Sequence, residues 1–238
     1  MRLATGALLI PATILTLACS GGDGTPATES AAIESNDQKA AYGIGMNMGT
    51  QLRAANERLD RAAFMRGFED GLQGSESDVP ETEVQAALME FGSALEAQAD
   101  SARAQEGEAN AQAGVAYLEQ NRAKAGVTTT ASGLQYEVLR AGDGERPTPE
   151  SIVRVHYRGT LIDGTEFDSS YGRGEPAEFP LDGVIAGFGE ALQLMPVGSQ
   201  WRIVIPAEIA YGPGGSGPIG PNSTLIFEIE LLEIVDAE

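Results

Sequence analysis

The feature that most constrains the fold is a long segment without proline, residues 81–124. Its first part carries an apolar stripe at helical spacing over residues 84–95. A continuous helix would be roughly 65 Å long at about 1.5 Å per residue. Residues 97–116 hold almost no large side chain, and Gly107 and Gly114 are expected weak points because glycine destabilises a helix. A helix that is polar all round usually bridges two domains, so the segment predicts a connecting helix.

Two shorter helices are predicted ahead of this segment. The first contains Gly45 and Gly49, whose spacing of four suggests that another helix packs closely against it. Asp60 is the predicted N-cap of the second, which carries an apolar stripe over residues 64–72. Two short helices and one stripe form a poor core for a monomer. We therefore expect residues 37–125 to be a helical domain that forms a homodimer.

The N-terminal residues have the features of a secretory signal. One arginine precedes a largely apolar run, so residues 1–18 are predicted to be a signal peptide. The run ends in Leu-Ala-Cys, which resembles a bacterial lipobox, so Cys19 is expected to carry lipid. The alternative is an ordinary signal peptide with an incidental cysteine.

Lipidation of Cys19 would tether the chain without a spanning helix, so membrane contact is expected through the lipid anchor only. Residues 19–36 are small and polar and predict a flexible tether. Ser20 stands where inner-membrane lipoproteins of Gram-negative bacteria tend to have Asp. We therefore expect a lipoprotein of the bacterial cell envelope, facing the periplasm, with the outer membrane favoured.

Composition excludes several classes of function. The net charge is −20, which repels a phosphate backbone and argues against nucleic-acid binding. The single cysteine cannot form an internal disulfide. With one histidine, His156, and no metal-ligand spacing, neither a metal site nor a cofactor is expected. His156 is predicted to lie on the solvated face of a strand.

From Ser132 onward the pattern changes to short strands. Val153, Val155 and Tyr157 alternate with polar residues, which is typical of a half-buried strand. Asp163-Gly164 predicts a two-residue hairpin turn, and the second strand then delivers Phe167 and Asp168. Several antiparallel strands and one short helix over residues 184–194 predict an α+β domain, with a curled antiparallel sheet wrapped on the helix.

The aromatic side chains of this domain are expected to converge. They are Tyr157, Phe167, Phe188, Tyr211 and Phe227, accompanied by Val184, Ile185 and Ile219. These residues could simply form the core of a small domain, and for Phe227 that interpretation is about as good as a pocket. The hydroxyls of Tyr157 and Tyr211 need partners when buried, which favours a pocket rim.

Several motifs in order resemble those of one enzyme family. The matching runs are Val155-His156-Tyr157-x-Gly159, Asp163-Gly164-Thr165-x-Phe167-Asp168-Ser169-Ser170, Val184-Ile185-x-Gly187-Phe188, Ala210-Tyr211-Gly212, and Thr224-Leu225-x-Phe227-x-Ile229-x-Leu231. With Gly198, Ile219 and Pro221, they resemble the FKBP-type peptidyl-prolyl cis-trans isomerases over residues 132–236. The whole chain is similar to the macrophage infectivity potentiator subgroup, which is described as dimeric through its N-terminal helices.

The resemblance implies non-covalent catalysis on proline-containing unfolded polypeptides, in the folding of envelope or secreted proteins. It gives catalytic roles to Tyr157, Phe167, Asp168 and Tyr211, and substrate-binding roles to Val184, Ile185, Phe188, Ile219 and Phe227. The main-chain N–H of Ile185 and the Tyr211 hydroxyl would bind substrate carbonyls, and Asp168 would act through Tyr157. Macrolide inhibitors are also expected to bind.

Two positions depart from the pattern of that family. Phe188 stands where the pocket floor is usually Trp, which predicts reduced activity and macrolide affinity. Ala177 stands where many relatives have an aromatic residue. The loop before Ile219 is also shorter than in the small cytosolic members.

Two other functions remain open at this point. A holdase chaperone could clamp an unfolded client between two pockets on long helical arms, with isomerisation secondary. A macrolide- or peptide-binding module without catalysis is the weaker alternative, and Phe188 is the feature that suggests it.

Overall fold

The computed structural model describes residues 32–235. The predicted signal peptide, Cys19 and most of the predicted tether therefore lie outside the described residues. The chain divides into two compact units, with the boundary between Phe64 and Met65. The domain boundaries derived from the sequence stay predictions.

The first unit contains helix α1, Asn36–Gln51. Ser35 and Gln38 begin it with a capping box, in which each side chain accepts a hydrogen bond from the other residue's main-chain N–H. A short 3₁₀ turn, Arg53–Ala55, follows. Helix α2, Arg61–Gln73, crosses the boundary between the units. The predicted N-cap of α2 is confirmed, because Asp60 Oδ1 accepts hydrogen bonds from the N–H groups of Ala62 and Ala63 at 2.9 and 3.0 Å.

Helix α3, Glu81–Arg122, is a single continuous helix of 42 residues, as its lack of proline predicts. The expectation that Gly107 and Gly114 are weak points is wrong. Both are buried, as is Asn121, and these three positions recur every seven residues on one face. That face packs on the C-terminal sheet domain, so the last part of α3 is docked and does not cross solvent as a free bridge. Within residues 32–235, no helix is both long and apolar enough to cross a membrane.

Seven strands form one antiparallel sheet among the described residues. Their bounds are β1 Val127–Thr129, β2 Gln135–Arg140, β3 Ile152–Leu161, β4 Glu166–Ser169, β5 Ala177–Pro180, β6 Gln200–Ile205 and β7 Leu225–Val235. The spatial order is β1-β2-β6-β7-β3-β4, and β5 pairs with β3. The first half of β3 pairs with β5 and its second half with β4, while β7 runs along its other side.

Two short helices complete the domain: α4, Ser170–Arg173, and α5, Ala186–Leu194. The inward residues of β3, β6 and β7 are buried against α5, which contributes Phe188, Ala191 and Leu192 to the core. The confirmed fold is therefore α+β, with an antiparallel sheet covering one helix and an all-helical region before it.

The hairpin between β3 and β4 differs from the predicted two-residue turn. The N–H of Leu161 donates to the carbonyl of Thr165 at 2.9 Å, and the N–H of Gly164 donates to the carbonyl of Leu161 at 3.0 Å. Three residues, Ile162, Asp163 and Gly164, therefore form the loop. Gly164 has a φ of 88°, the left-handed conformation that closes this type of loop. Pairing of the two strands shifts by one residue between Gly159 and Thr160.

Candidate active site

A cavity of about 420 Å³ opens between the sheet and α5. Every residue to which the family resemblance gave a catalytic or substrate-binding role lines it. These are Tyr157, Phe167, Asp168, Val184, Ile185, Phe188, Tyr211, Ile219 and Phe227. The strands supply one wall, the turn before α5 supplies another, and the loop after Tyr211 supplies the rim. The structure thus brings together groups that lie up to seventy positions apart in the sequence.

Five of the aromatic rings that line this cavity contact one another. Phe188, on α5, makes an edge-to-face contact with Phe227 at 5.1 Å between ring centroids. Tyr157 lies 6.1 Å from Phe188, and Phe179 lies 6.0 Å from it. Phe167 meets Phe227 edge to face at 5.5 Å. Such offset contacts between rings fix the shape of an apolar site.

Gly159 explains how these rings come so close to the sheet. It faces the cavity on β3, where a Cβ atom would lie 2.6 Å from the ring of Phe167 and 2.8 Å from that of Phe227. The missing side chain therefore leaves the space that two aromatic rings occupy.

Tyr157, Asp168 and Arg173 form a polar network at the edge of the aromatic wall. The Tyr157 hydroxyl donates a short hydrogen bond to Asp168 Oδ2. Arg173 donates to Asp168 Oδ1 at 2.5 Å and to the Tyr157 hydroxyl oxygen at 3.0 Å. The guanidinium carbon also lies 5.5 Å from the centre of the Tyr157 ring. Three side chains thus hold one another in a fixed orientation.

This network shifts the pKa values of Tyr157 and Asp168. Burial raises the pKa of Tyr157, and its hydrogen bond to Asp168 raises that pKa further. Burial alone would raise the pKa of Asp168, but the hydrogen bonds from Tyr157 and Arg173 outweigh it and hold the pKa below its ordinary value. Near neutral pH the site therefore contains a neutral tyrosine donor and an ionised carboxylate.

The sequence interpretation missed two contributors to this site. Phe179 supplies the aromatic ring that Ala177 lacks, two residues further along β5, where it pairs with Val153. Arg173 lies at the end of α4, which begins with the Ser169 side chain accepting from the N–H of Gly172. The alternation Ala177-x-Phe179 could have identified the ring, whereas no local pattern signals the arginine.

His156 lies away from the cavity but is not the fully solvated side chain that was expected. It is half-buried, its Nδ1 is 3.0 Å from Ser170 Oγ, and its ring stacks on Tyr171 at 4.6 Å. Among residues 32–235, no cluster of His, Cys, Asp or Glu has the composition of a metal site.

Comparison with known proteins identifies the family. The profile described as FKBP-type peptidyl-prolyl cis-trans isomerase matches residues 143–232, and the profile of the domain amino-terminal to it matches residues 37–138. The FKBP-type 22 kDa peptidyl-prolyl cis-trans isomerase of Escherichia coli is 51% identical over 84% of this chain and 96% of its own length. The chain belongs to the family of FKBP-type peptidyl-prolyl cis-trans isomerases.

Two further relatives match this isomerase over most of its length. The outer membrane protein MIP of Legionella longbeachae is 38% identical over 96% of this chain and 98% of its own. The crystal structure of FkpA from Escherichia coli superimposes with a TM-score of 0.69 at 37% identity, covering 87% of this chain and all of that one. These names favour an isomerase that assists protein folding over a holdase chaperone.

Proposed function

We propose that the isomerase binds the proline ring of an X-Pro segment among Tyr157, Phe179, Phe188 and Phe227. The barrier to rotation of that amide is about 18–20 kcal/mol, because rotation breaks its resonance. An apolar site that removes water from the amide favours the twisted state, in which the carbonyl carries less charge. The observation that carries this proposal is the ring-lined cavity of about 420 Å³. Catalysis then follows from tighter binding of the transition state and needs no nucleophile.

The polar groups at the rim are proposed to orient the peptide. The main-chain N–H of Ile185 precedes α5 at the cavity, and it has no acceptor among the described residues. Tyr211 is 41% exposed and lines the same opening. These two donors are placed to bind substrate carbonyls. Asp168 acts indirectly, since it holds the Tyr157 hydroxyl and carries the charge that Arg173 neutralises.

A protease-coupled assay on proline tetrapeptides tests these roles. We expect Asp168→Ala to lower kcat/KM about tenfold or more, since a hydrogen bond to a charged group contributes about 1.5–3 kcal/mol. Phe167→Tyr should also lower it, because the new hydroxyl enters an apolar wall. Glu166→Gln is the matched control: it lies on the same strand but pairs with Arg158 outside the cavity. Unchanged turnover in both cavity variants would refute the assignment of the site.

The cavity is also proposed to bind macrolide inhibitors in competition with the peptide. Phe188 lacks the indole N–H of a tryptophan floor, so we expect weaker inhibition than in relatives with that residue. If Asp168→Ala and Phe167→Tyr left the inhibition unchanged, the macrolide would bind outside this cavity.

We propose further that the isomerase is a homodimer formed by its helical region. Large apolar side chains of this region are exposed in the single chain; they include Tyr42, Ile44, Met46, Leu72, Leu88 and Met89, at 52–74% exposure. Apart from the neighbouring backbone of α1 itself, no described atom lies within 4 Å of where a Cβ would stand on Gly45 or Gly49, so a second helix could approach there. Sedimentation at micromolar concentration should give a dimer that Ile44→Glu with Leu88→Glu dissociates. A monomeric wild type would refute this proposal.

The envelope location is proposed from the N-terminal sequence together with the name of the Legionella relative. Cys19→Ser should release the isomerase from the membrane fraction of a Gram-negative host and abolish labelling by a fatty-acid analogue. Ser20→Asp should keep the label and move the protein to the inner membrane. Membrane association that persists in Cys19→Ser would exclude a lipid anchor at this residue.

A further inference from the structure

The docked face of α3 contacts one short segment of the isomerase domain, residues 220–224, which we call the clamp segment. Asn110 Nδ2 donates to the carbonyl of Pro221 at 2.9 Å. Asn222 Nδ2 donates to the carbonyl of Gly107 at 3.2 Å. A Cβ on Gly107 would stand 3.3 Å from Pro221 Cβ, and one on Gly114 would collide with Thr224 Oγ1. The helix and the segment are therefore in contact along two turns of the helix.

The clamp segment has an unusual backbone conformation at a residue that contacts α3. Asn222 has a φ of 54°, and no other non-glycine residue within residues 32–235 has a positive φ. Asparagine is one of the few non-glycine residues that adopt this left-handed conformation. Here the side chain is held by α3, and the main-chain N–H donates to the carbonyl of Gly212 at 2.8 Å.

The clamp segment is connected to the cavity at two points. Its first residue, Gly220, directly follows Ile219, and its Asn222 N–H donates to Gly212, which directly follows Tyr211. Both Tyr211 and Ile219 line the cavity. Ser216 and Ile219 exchange main-chain hydrogen bonds of 2.8 and 2.9 Å that close the loop between them. Thus one asparagine touches α3 with its side chain and the rim loop with its backbone.

We propose that Asn110 and Asn222 are positioning residues for catalysis, through which α3 fixes the rim loop of residues 211–219. They do not touch the substrate. Their hydrogen bonds hold Tyr211 and Ile219 at the distance that a bound peptide requires. This proposal rests on the proposed roles of those two cavity residues.

Two variants remove the contact and leave the rest of the loop intact. Asn222→Gly keeps the left-handed backbone at no steric cost and keeps the bond to Gly212, but it loses the amide that reaches Gly107. Asn110→Asp keeps the shape of the side chain, but a carboxylate cannot donate to Pro221. Tyr117→Phe is the matched control. It lies on the same helix and loses only the hydrogen bond from Arg202 to its hydroxyl, which is 3.1 Å long and outside the cavity.

The full chain is assayed with proline tetrapeptides, and its melting temperature and amide hydrogen exchange are measured in parallel. We expect both asparagine variants to lower kcat/KM about three- to tenfold, the factor that corresponds to one hydrogen bond. The loss should appear in KM with kcat little changed, because the rim contacts substrate and transition state alike. Amides of residues 211–219 should exchange faster, and Tyr117→Phe should behave as wild type.

Two results would overturn the proposal. One is faster amide exchange of residues 211–219 with kcat/KM unchanged. The rim loop would then be more mobile, and its mobility would not affect catalysis. The other is an equal loss in Tyr117→Phe, which would show a general effect of undocking α3. Asp168→Ala, assayed beside them, separates this failure from that of the active site: if it retains full activity, the site assignment itself fails.

Discussion

Gly159 shows how a single position sets the shape of the cavity. The Phe167 and Phe227 rings fill the space in front of its Cα. Gly159→Ala should therefore displace both rings, destabilise the domain by about 1–3 kcal/mol, as overpacking usually does, and lower kcat/KM by more than tenfold, since small misplacements in a site are costly. Thermal unfolding and the tetrapeptide assay measure the two effects.

Gly172→Ala provides the comparison for that substitution. A Cβ there would lie 3.9 Å from Ser169 Cβ, an ordinary contact. It should change stability and activity little. If Gly159→Ala were equally harmless, the two rings would have more freedom than their packing indicates.

The shifted pKa values of Asp168 and Tyr157 predict how stability, and with it activity, depends on pH. The lowered pKa of Asp168 means that its contribution to stability is present above the ordinary aspartate pKa and is lost as the pH falls through the lowered value. The raised pKa of Tyr157 means that its contribution is present below the ordinary tyrosine pKa and is lost as the pH rises through the raised value. We expect kcat/KM to be constant across the range between them.

Exchange spectroscopy of a proline peptide measures this profile without a protease. The acidic limb should disappear in Asp168→Asn. A further transition within the constant range would contradict the prediction.

At the scale of elements, α3 shows what a pattern can and cannot predict. Lack of proline predicts its length, because every residue can adopt helical geometry. Its docking was missed, because the contact uses glycine and asparagine, which resemble defects in a helix when read alone. The role of Gly107, Gly114 and Asn121 can be recognised only from the segments that pack on them.

The strands and the cavity were predictable for a related reason. Alternation identifies β3, β6 and β7, since their inward faces are buried on one helix, and the order of the motifs identifies the cavity residues. The predicted length of the hairpin loop was wrong by one residue, because the Asp-Gly pair fits both a two-residue turn and the observed three-residue loop. Phe179 was missed although β5 alternates, because four residues give only a weak signal. Arg173 was missed because α4 also has only four residues and shows no period.

Asn121 is expected to anchor the end of α3. It is 5% exposed, and its Nδ2 donates to Gln135 Oε1 at 2.9 Å, while Gln135 Nε2 donates to the carbonyl of Leu118 at 2.9 Å. Asn121→Ala leaves a buried acceptor without its donor, so the free energy of unfolding should fall by about 1–3 kcal/mol. Denaturant unfolding measures it.

Gln112→Ala is the control on the exposed side of the same helix, where Gln112 bonds only to Glu108. This substitution should change the free energy of unfolding by no more than about 0.5 kcal/mol. Equal effects in the two variants would mean that helix propensity matters here and the buried amide pair does not.

At the scale of the whole molecule, charge governs how stability responds to salt. A net charge of −20 makes the folded chain repel itself. Raising the ionic strength to about 0.15 M shortens the screening length to about 8 Å, so Tm should rise. About 2–4 °C is expected per kcal/mol of repulsion removed. A Tm that falls with salt would show instead that surface ion pairs, such as Arg154 with Glu178, dominate.

The position of Trp201 gives the isomerase a built-in optical reporter. It is the single tryptophan of the chain, lies on β6 with 5% exposure, and stacks on Tyr136 at 4.4 Å. Its indole N–H has no hydrogen-bond partner among residues 32–235, so its fluorescence should be blue-shifted in the folded state. Trp201 is not among the residues that line the cavity, so a bound peptide or inhibitor is not expected to contact the indole. The tryptophan fluorescence of this chain will therefore report unfolding of the sheet and will not change when a ligand binds in the active site.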